Sequence, residues 1–272
     1  MKLILIVFCS ILLIQCAQKP TEVYEKSEYK DKVQSLIVLG ARSPLKITED
    51  TVVLDARSNF SYSVSHIPNS INLQWKEFSG GKKNKLRSDF DEMTKRLARL
   101  GISINTPVIV VDKGLFGKGE AGRLAWTLYY LGVENIQVAS IQALKTRMTI
   151  KESLPKKMLP FWKSQVRDYI LITQKDFFKK TDVQSKNTVV IDVRSDNEYA
   201  QATNNQSMHV EWTEFFTQLG RPNFNVVNKL KSVGIHKDKE VILVSSKGVR
   251  SAAVAISLIS LGYKDVKSLE TY

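Results

Sequence analysis

Cysteine is nearly absent from this sequence. The 272 residues include two cysteines, Cys9 and Cys16, and both lie in the first sixteen positions. If the mature chain begins at Cys16, its folded part has no free thiol and no intramolecular disulfide. A thiol nucleophile and a disulfide framework are therefore excluded from the body of the protein.

Sequence features typical of nucleotide, metal or cofactor sites are also scarce. The sequence has three histidines and no low-complexity tract. Glycines are scattered between positions 114 and 122, but the phosphate-loop ending Gly-Lys-Ser/Thr is absent, so the nucleotide signal is weak. We expect no cofactor and no metal. His66 precedes Ile67 and a proline, where a lone histidine is more often a structural hydrogen-bonding group than a catalyst.

The one long apolar run stands at the start of the chain. It extends from Leu3 to Ile14 after a single lysine, and it is too short to span a bilayer comfortably. The segment ending in Gln15-Cys16 resembles a bacterial lipoprotein signal, although Gln15 departs from the usual small residue. The resemblance implies export to the bacterial cell envelope and a lipid anchor on Cys16. An ordinary signal peptide cut elsewhere, or an uncleaved anchor, remains the alternative.

Positive charge dominates the sequence. The formal net charge is +13 and the isoelectric point is about 9.6. Such a balance favours anionic surfaces and ligands. Because no stacking aromatics interleave with the basic residues, we expect a solvated basic face beside an anionic membrane and no binding of nucleic acid.

Short apolar segments alternate with helical stretches from residue 43 onward, which predicts an α/β fold with parallel sheets flanked by helices. The pattern occurs twice. Asp55-Ala-Arg57 returns as Asp192-Val-Arg194, and the Leu-Gly pair at 131–132 returns at 261–262. A long and nearly constant spacing indicates two copies of one domain. The predicted strands comprise residues 52–54, 108–111, 136–138, 189–191, 241–244 and 266–269.

These patterns divide the chain into five segments. We expect a signal over residues 1–16, a polar tether over 17–42, an N-terminal domain over 43–148, a linker over 149–167 and a C-terminal domain over 168–272. Prolines and lysines mark the linker. We also expect the two domains to share an interface.

A loop near the C-terminus carries the strongest functional signal. Residues 245–251 join a buried-strand pattern to a helical pattern that begins at Ala252. Backbone N–H groups and a helix start would converge there on one spot, with Gly248 allowing a tight turn and Lys247 and Arg250 adding positive charge. The predicted anion-binding residues are Ser245, Ser246, Lys247, Gly248, Val249 and Arg250.

This loop resembles the active-site segment of the tandem-domain rhodanese (thiosulfate sulfurtransferase) superfamily, in which the first loop residue is the cysteine that carries sulfur. Here that residue is Ser245. The resemblance implies two rhodanese-like domains. It also implies a non-catalytic first domain with an aspartate at the nucleophile position, which Asp112 matches at the start of a loop expected over 112–123. The turn after His66 is similar to another motif of the family.

The second half departs from the family pattern at several points. Glu198 stands where tandem sulfurtransferases commonly have a substrate-binding arginine, the His-Ile-Pro turn has no counterpart, and the closing Gly-Gly is replaced. A serine nucleophile would need a base within reach, and neither His209 nor His236 can be assigned to the loop from sequence. We interpret the pairs Asp55–Arg57 and Asp192–Arg194 as structural ion pairs at the sheet rim that support the site.

Three functions remain open. The first is a non-catalytic, membrane-tethered rhodanese-like protein that binds a small oxyanion, an acidic group or an unknown protein partner. The second is an active sulfurtransferase that moves sulfane sulfur from thiosulfate or 3-mercaptopyruvate to a thiophilic acceptor, which requires a thiol. The third is an interaction module with no ligand in the loop. A shared fold does not establish a shared activity, so the missing cysteine favours the first function, a non-catalytic binding protein.

Overall fold

The fold is described from a computed structural model, which covers residues 45, 47–81, 84–147, 157–182, 187–201 and 207–270. The predicted signal, the tether and both cysteines lie outside the described residues. Within the described ranges, no helix combines the length and the apolar character that a membrane span requires.

The N-terminal half forms a four-stranded parallel sheet in the order β2-β1-β5-β6. Its central strands are apolar and fully buried because helices cover the sheet. The elements of this half are β1 (Val52–Asp55), α1 (Asn59–Val64), β2 (Ile71–Asn72), the hairpin strands β3 (Ser79–Gly80) and β4 (Lys85–Leu86), α2 (Phe90–Arg99), β5 (Val108–Asp112), α3 (Glu120–Leu131) and β6 (Ile136–Ser140).

The C-terminal half forms a five-stranded parallel sheet in the order β7-β11-β10-β8-β9. Its central strand β10 pairs along its whole length with β8. The elements are β7 (Leu171–Ile172), α4 (Gln174–Asp182), β8 (Thr188–Asp192), α5 (Asp196–Ala200), β9 (Met208–His209), α6 (Asn225–Ser232), β10 (Glu240–Val244), α7 (Val249–Ser260) and β11 (Asp265–Leu269).

The α/β fold class and all six predicted strands are confirmed. Gly132 ends α3 at a φ of 117° and Gly262 follows α7 at a φ of 90°, as expected for glycines after a helix. The helical start predicted at Ala252 is wrong by three residues, because α7 begins at Val249. Val249 and Arg250 therefore belong to the first helical turn rather than to the loop.

Equivalent aromatic residues show the repeat at the level of side chains. Tyr62 donates a hydrogen bond to the Ser70 carbonyl at 2.6 Å, and Tyr199 donates one to the Ser207 carbonyl at 2.9 Å. Each tyrosine ring also stacks on a histidine ring, with centroids 4.2 Å apart in both domains. The two histidines, His66 and His209, come from different positions of the repeat, because the second sheet pairs Asp192 with His209 where the first pairs Asp55 with Asn72.

The two domains meet through α3 and α7. Gly122 on α3 lies so close to Ala253 on α7 that a Cβ atom at Gly122 would stand 2.4 Å from the Ala253 Cβ atom. Elsewhere on the interface, the Ser140 N–H donates to the Leu219 carbonyl at 2.7 Å. One cluster of buried apolar residues runs through both domains, so the interface is part of the core.

The described part of the predicted linker lies along the N-terminal domain. The Trp162 indole N–H donates to the Ile102 carbonyl at 2.9 Å, and Arg167 donates to the Tyr129 carbonyl at 2.5 Å. Arg167 is 1% exposed. This segment is therefore packed against the domain rather than extended into solvent.

Candidate functional site

The loop between β10 and α7 is built by a strand that ends at Val244 and a helix that begins at Val249. Gly248 immediately precedes the helix with a φ of 65°, a left-handed conformation that favours glycine. The tight turn directs the loop backbone toward the start of α7. The carboxyl ends of the parallel strands lie at the same edge of the sheet, where open α/β folds bind their ligands.

The backbone of the loop has unused donors. Among the described residues, no group accepts a hydrogen bond from the N–H of Ser246, Lys247, Gly248, Val249 or Arg250. Consecutive N–H groups at the start of a twelve-residue helix carry partial positive charge. The loop can therefore accept the oxygens of an acidic group without breaking an existing bond.

Ser245 occupies the first loop position and is 3% exposed. Its hydroxyl donates to the Ser251 Oγ atom at 3.1 Å and accepts a hydrogen bond from the Ser251 N–H at 3.2 Å. Ser268 donates to the same Ser251 Oγ atom at 2.9 Å. The hydroxyl proton of Ser245 thus points into a serine network that contains no base.

Both histidines of the second domain lie away from Ser245. The ring of His209 bonds to the Asp192 carbonyl at 3.0 Å and to an Asp196 carboxylate oxygen at 2.8 Å. His236 is exposed and precedes β10, so it lies at the end of that strand opposite to the loop. Neither ring bonds to Ser245, and the part of the chain that the structure describes places no base in hydrogen-bond contact with its hydroxyl.

Two positively charged side chains, one in the loop and one in the first turn of α7, differ in their ion pairing. Lys247 is exposed and makes no ion pair among the described residues. Arg250 is bound by Glu198, with Nη1 and Nη2 at 2.5 and 2.7 Å from the two carboxylate oxygens. The hydrogen bonds from Arg250 hold the pKa of Glu198 at about 2, so the pair remains charged. The position of Glu198 in the family motif is visible in the sequence, but its pairing with Arg250 is not.

The two Asp-x-Arg pairs are ion pairs in the structure. Arg57 contacts Asp55 at 2.6 Å, both side chains are buried, and Arg57 also donates to the Ser65 carbonyl at 2.7 Å. Arg194 contacts Asp192 at 2.5 Å. In the first domain the pair joins the end of β1 to the chain after α1, which is a structural role. Asp192 lies at the carboxyl end of β8, opposite Val244, the last residue before the loop.

Asp112 holds the corresponding place in the first domain. The loop expected over 112–123 is shorter than predicted, because Asp112 ends β5 and α3 begins at Glu120. The Asp112 carboxylate accepts hydrogen bonds from the N–H groups of Gly114 at 2.7 Å and Ala121 at 2.8 Å. Burial raises its pKa to about 6 in spite of these two donors. A carboxylate of this chain therefore fills the first-domain loop.

Arg123 was predicted to lie in the loop over 112–123. In the structure it lies in α3. It is 5% exposed, and its Nη1 atom lies 3.5 Å from the Gly248 carbonyl of the other domain. Its guanidinium also lies over the Trp126 ring, at 4.8 Å from the centroid. Burial lowers its pKa to about 10. Arg123 links the first domain to the start of α7.

A cavity of about 480 Å³ lies on the first domain, lined by residues that include Thr48, Val53 and Ile67. Its walls come from the segment before β1 and from the turn after His66, so the cavity is separate from the loop at Ser245. The described residues contain no cluster of metal ligands. At the loop the described residues provide backbone N–H groups, hydroxyls and cations.

The geometry can be compared with known families. The Rhodanese-like domain model matches the chain twice, over residues 43–140 and 177–271. The chain belongs to the rhodanese-like domain family. The first range contains the whole four-stranded sheet and the second contains every strand of the five-stranded sheet except β7, so the family is present as a tandem pair. No curated protein matches the rhodanese-like chain in sequence.

Solved structures with a similar fold include sulfurtransferases. The 3-mercaptopyruvate sulfurtransferase SseA from Escherichia coli is 17% identical with a TM-score of 0.68, and the match covers 82% of this chain and 93% of SseA. Wild-type EanB is 17% identical with a TM-score of 0.68, over 88% of this chain and 64% of EanB. A variant of EanB in complex with ergothioneine is 18% identical with a TM-score of 0.69. At this identity the likeness shows the fold.

Proposed function

We propose that this rhodanese-like protein binds an acidic group at the loop of its second domain and does not transfer sulfur. The observation that carries the proposal is Ser245, which stands at the position of the family's sulfur-carrying cysteine and, among the described residues, is hydrogen-bonded through its side chain to Ser251. A serine hydroxyl needs a neighbouring base to become a nucleophile. The loop instead supplies N–H groups and cations, which stabilise an anion that already exists.

The first domain supports binding at such a loop. There the Asp112 carboxylate occupies the loop and accepts two backbone hydrogen bonds. In the second domain the shorter Ser245 side chain leaves the N–H groups of residues 246–250 without an acceptor among the described residues. A carboxylate or another oxyanion from outside the chain would satisfy them.

Amide chemical shifts of the full-length protein test the proposal during titration with acetate. We expect the amides of residues 246–250 to shift, and we expect Lys247→Ala to weaken binding about twofold to fivefold, the size of one exposed charge near a helix start. Lys264→Ala is the matched control, because Lys264 is an exposed lysine beyond the other end of α7. Loop amides that do not respond to any anion would overturn the proposal.

We also propose that the protein is exported and held at the bacterial cell envelope by a lipid on Cys16. The support is the sequence of the first sixteen residues, with its short apolar run before the cysteine. Cell fractionation tests this proposal. The natural protein should sediment with membranes and the Cys16→Ser variant should be released, whereas an unchanged distribution would contradict lipid anchoring.

A further inference from the structure

The Glu198 carboxylate is fixed beside the loop by groups on two elements. It accepts hydrogen bonds from the Ser195 N–H at 3.1 Å and the Ser195 hydroxyl at 2.7 Å, which together cap α5. From the other side it receives both terminal nitrogens of Arg250 on α7. The carboxylate is therefore held in place before any ligand arrives.

The same guanidinium connects Glu198 to the loop. The Arg250 Nη2 atom bonds to the Glu198 Oε1 atom at 2.7 Å and to the Ser246 Oγ atom at 3.1 Å. Since one nitrogen serves both partners, the negative charge of Glu198 lies close to Ser246 of the anion-binding loop. The positive charge of Arg250 is balanced by Glu198, and Lys247, the other cation of residues 245–250, makes no ion pair among the described residues. The buried Arg123 of the first domain also reaches the loop, where it donates to the Gly248 carbonyl at 3.5 Å.

This balance limits the negative charge that the loop can accept. A singly charged group is matched by Lys247 together with the N–H groups at the start of α7. A doubly charged group would place its second charge near the Glu198 carboxylate, and like charges repel at short range where solvent is partly excluded. The first-domain loop is filled by Asp112, which carries at most one negative charge.

We propose that Glu198 makes the loop selective for singly charged acidic groups of the carboxylate class and against doubly charged oxyanions such as sulfate and thiosulfate. The inference rests on the proposed binding function and assigns the class of its ligand. It makes Glu198 a specificity residue that acts through Arg250.

Titrations with acetate and with sulfate test the selectivity. They would follow the amide shifts of residues 246–250 in the full-length protein at constant ionic strength, because salt screens both interactions. The variants are Glu198→Gln and the control Glu214→Gln. Both glutamates have side chains that are 40% exposed and both are ion-paired, Glu198 with Arg250 and Glu214 with Lys229. Glutamine retains a hydrogen-bond acceptor for the cap at Ser195.

In the natural protein, acetate should bind more tightly than sulfate. Glu198→Gln should tighten sulfate binding about tenfold, with a much smaller change for acetate, and Glu214→Gln should change neither. Tighter binding of sulfate to the natural protein, or no effect of Glu198→Gln on sulfate, would overturn the selectivity while the binding function stands. If neither anion moves the loop amides in any variant, the binding function fails and the selectivity fails with it.

Discussion

A hydroxyl at position 245 differs from a thiol chiefly in acidity. A cysteine at the start of a helix, near cations, is readily held as a thiolate, because its ordinary pKa of about 8.5 needs only a modest reduction. A serine hydroxyl is far less acidic, so the same N–H groups and cations leave it protonated. The buried network of Ser251 and Ser268 then holds Ser245 as a neutral hydrogen-bonding partner.

The carboxylate of Asp112 should make stability depend on pH. Its pKa is raised from 3.8 to about 6 in the folded state, so its ionisation opposes folding, and its contribution to stability is lost as the pH rises through about 6. A shift of this size corresponds to about 3 kcal/mol. Relative to Asp112→Asn, the natural protein should therefore lose up to about 3 kcal/mol of unfolding free energy between pH 4 and pH 7.

Urea unfolding at several pH values would measure this difference. Asp91→Asn is the control for removing one carboxylate at an exposed position, because Asp91 is an exposed aspartate at the start of α2. A difference between Asp112→Asn and the natural protein that does not change with pH would contradict the raised pKa.

At the scale of elements, the approach of α3 to α7 depends on small residues. A Cβ atom on Gly122 would lie 2.4 Å from the Cβ atom and 2.7 Å from the Cα atom of Ala253. Neither Ala253 atom can move easily, because the Cα atom is part of the helix backbone and the Cβ atom is bonded directly to it. The two helices would have to move apart to accept even one methyl group, and the loop at the start of α7 would move with them.

Gly122→Ala should therefore destabilise the protein in spite of the higher helix propensity of alanine. We expect a loss of about 1–3 kcal/mol of unfolding free energy, which is typical of an overpacked core. Gly80→Ala is the control, because a Cβ atom there would meet only the Arg87 Cγ atom at an ordinary 3.5 Å. Equal stability of the Gly122→Ala variant and the natural protein in chemical denaturation would contradict the close packing.

The elements themselves were largely predictable from the sequence. Strands such as 108–111 and 241–244 are apolar runs bounded by turn residues, and such runs fit buried parallel strands. The start of α7 was predicted three residues too late, because the family loop motif was read as ending at Ser251 and so included Val249 and Arg250. The pairing of Glu198 with Arg250 joins residues 52 positions apart on two helices, and no local pattern encodes such a contact.

The largest cluster of buried apolar residues in the described part of the chain spans both domains, and two smaller clusters are each confined to one domain. The apolar cluster that contains the α3–α7 contact includes strands of both sheets, and polar contacts such as the one between Arg221 and Gln137 add to the interface. The repeat in the sequence predicted two domains but not how tightly they join, because the interface uses small residues that resemble ordinary helix positions. The loop at Ser245 is therefore supported by the first domain through Arg123 and Gly119.

Because the core is shared, the two domains should unfold together. Calorimetry of the full-length protein should show a single transition, and its midpoint should agree with the loss of circular dichroism in both the near and far ultraviolet. Two separated transitions would show that the interface contributes little to stability. That outcome would contradict the role assigned to the α3–α7 contact.

Sulfur transfer from thiosulfate to cyanide, measured for the natural protein beside Ser245→Cys, tests the central claim most directly. The account predicts background activity for the natural protein, because the loop lacks a thiol. It predicts turnover above background for Ser245→Cys, and a further increase when Glu198→Gln is added and the doubly charged donor is better tolerated. Turnover by the natural protein at a rate comparable to that of the cysteine variant would contradict the account.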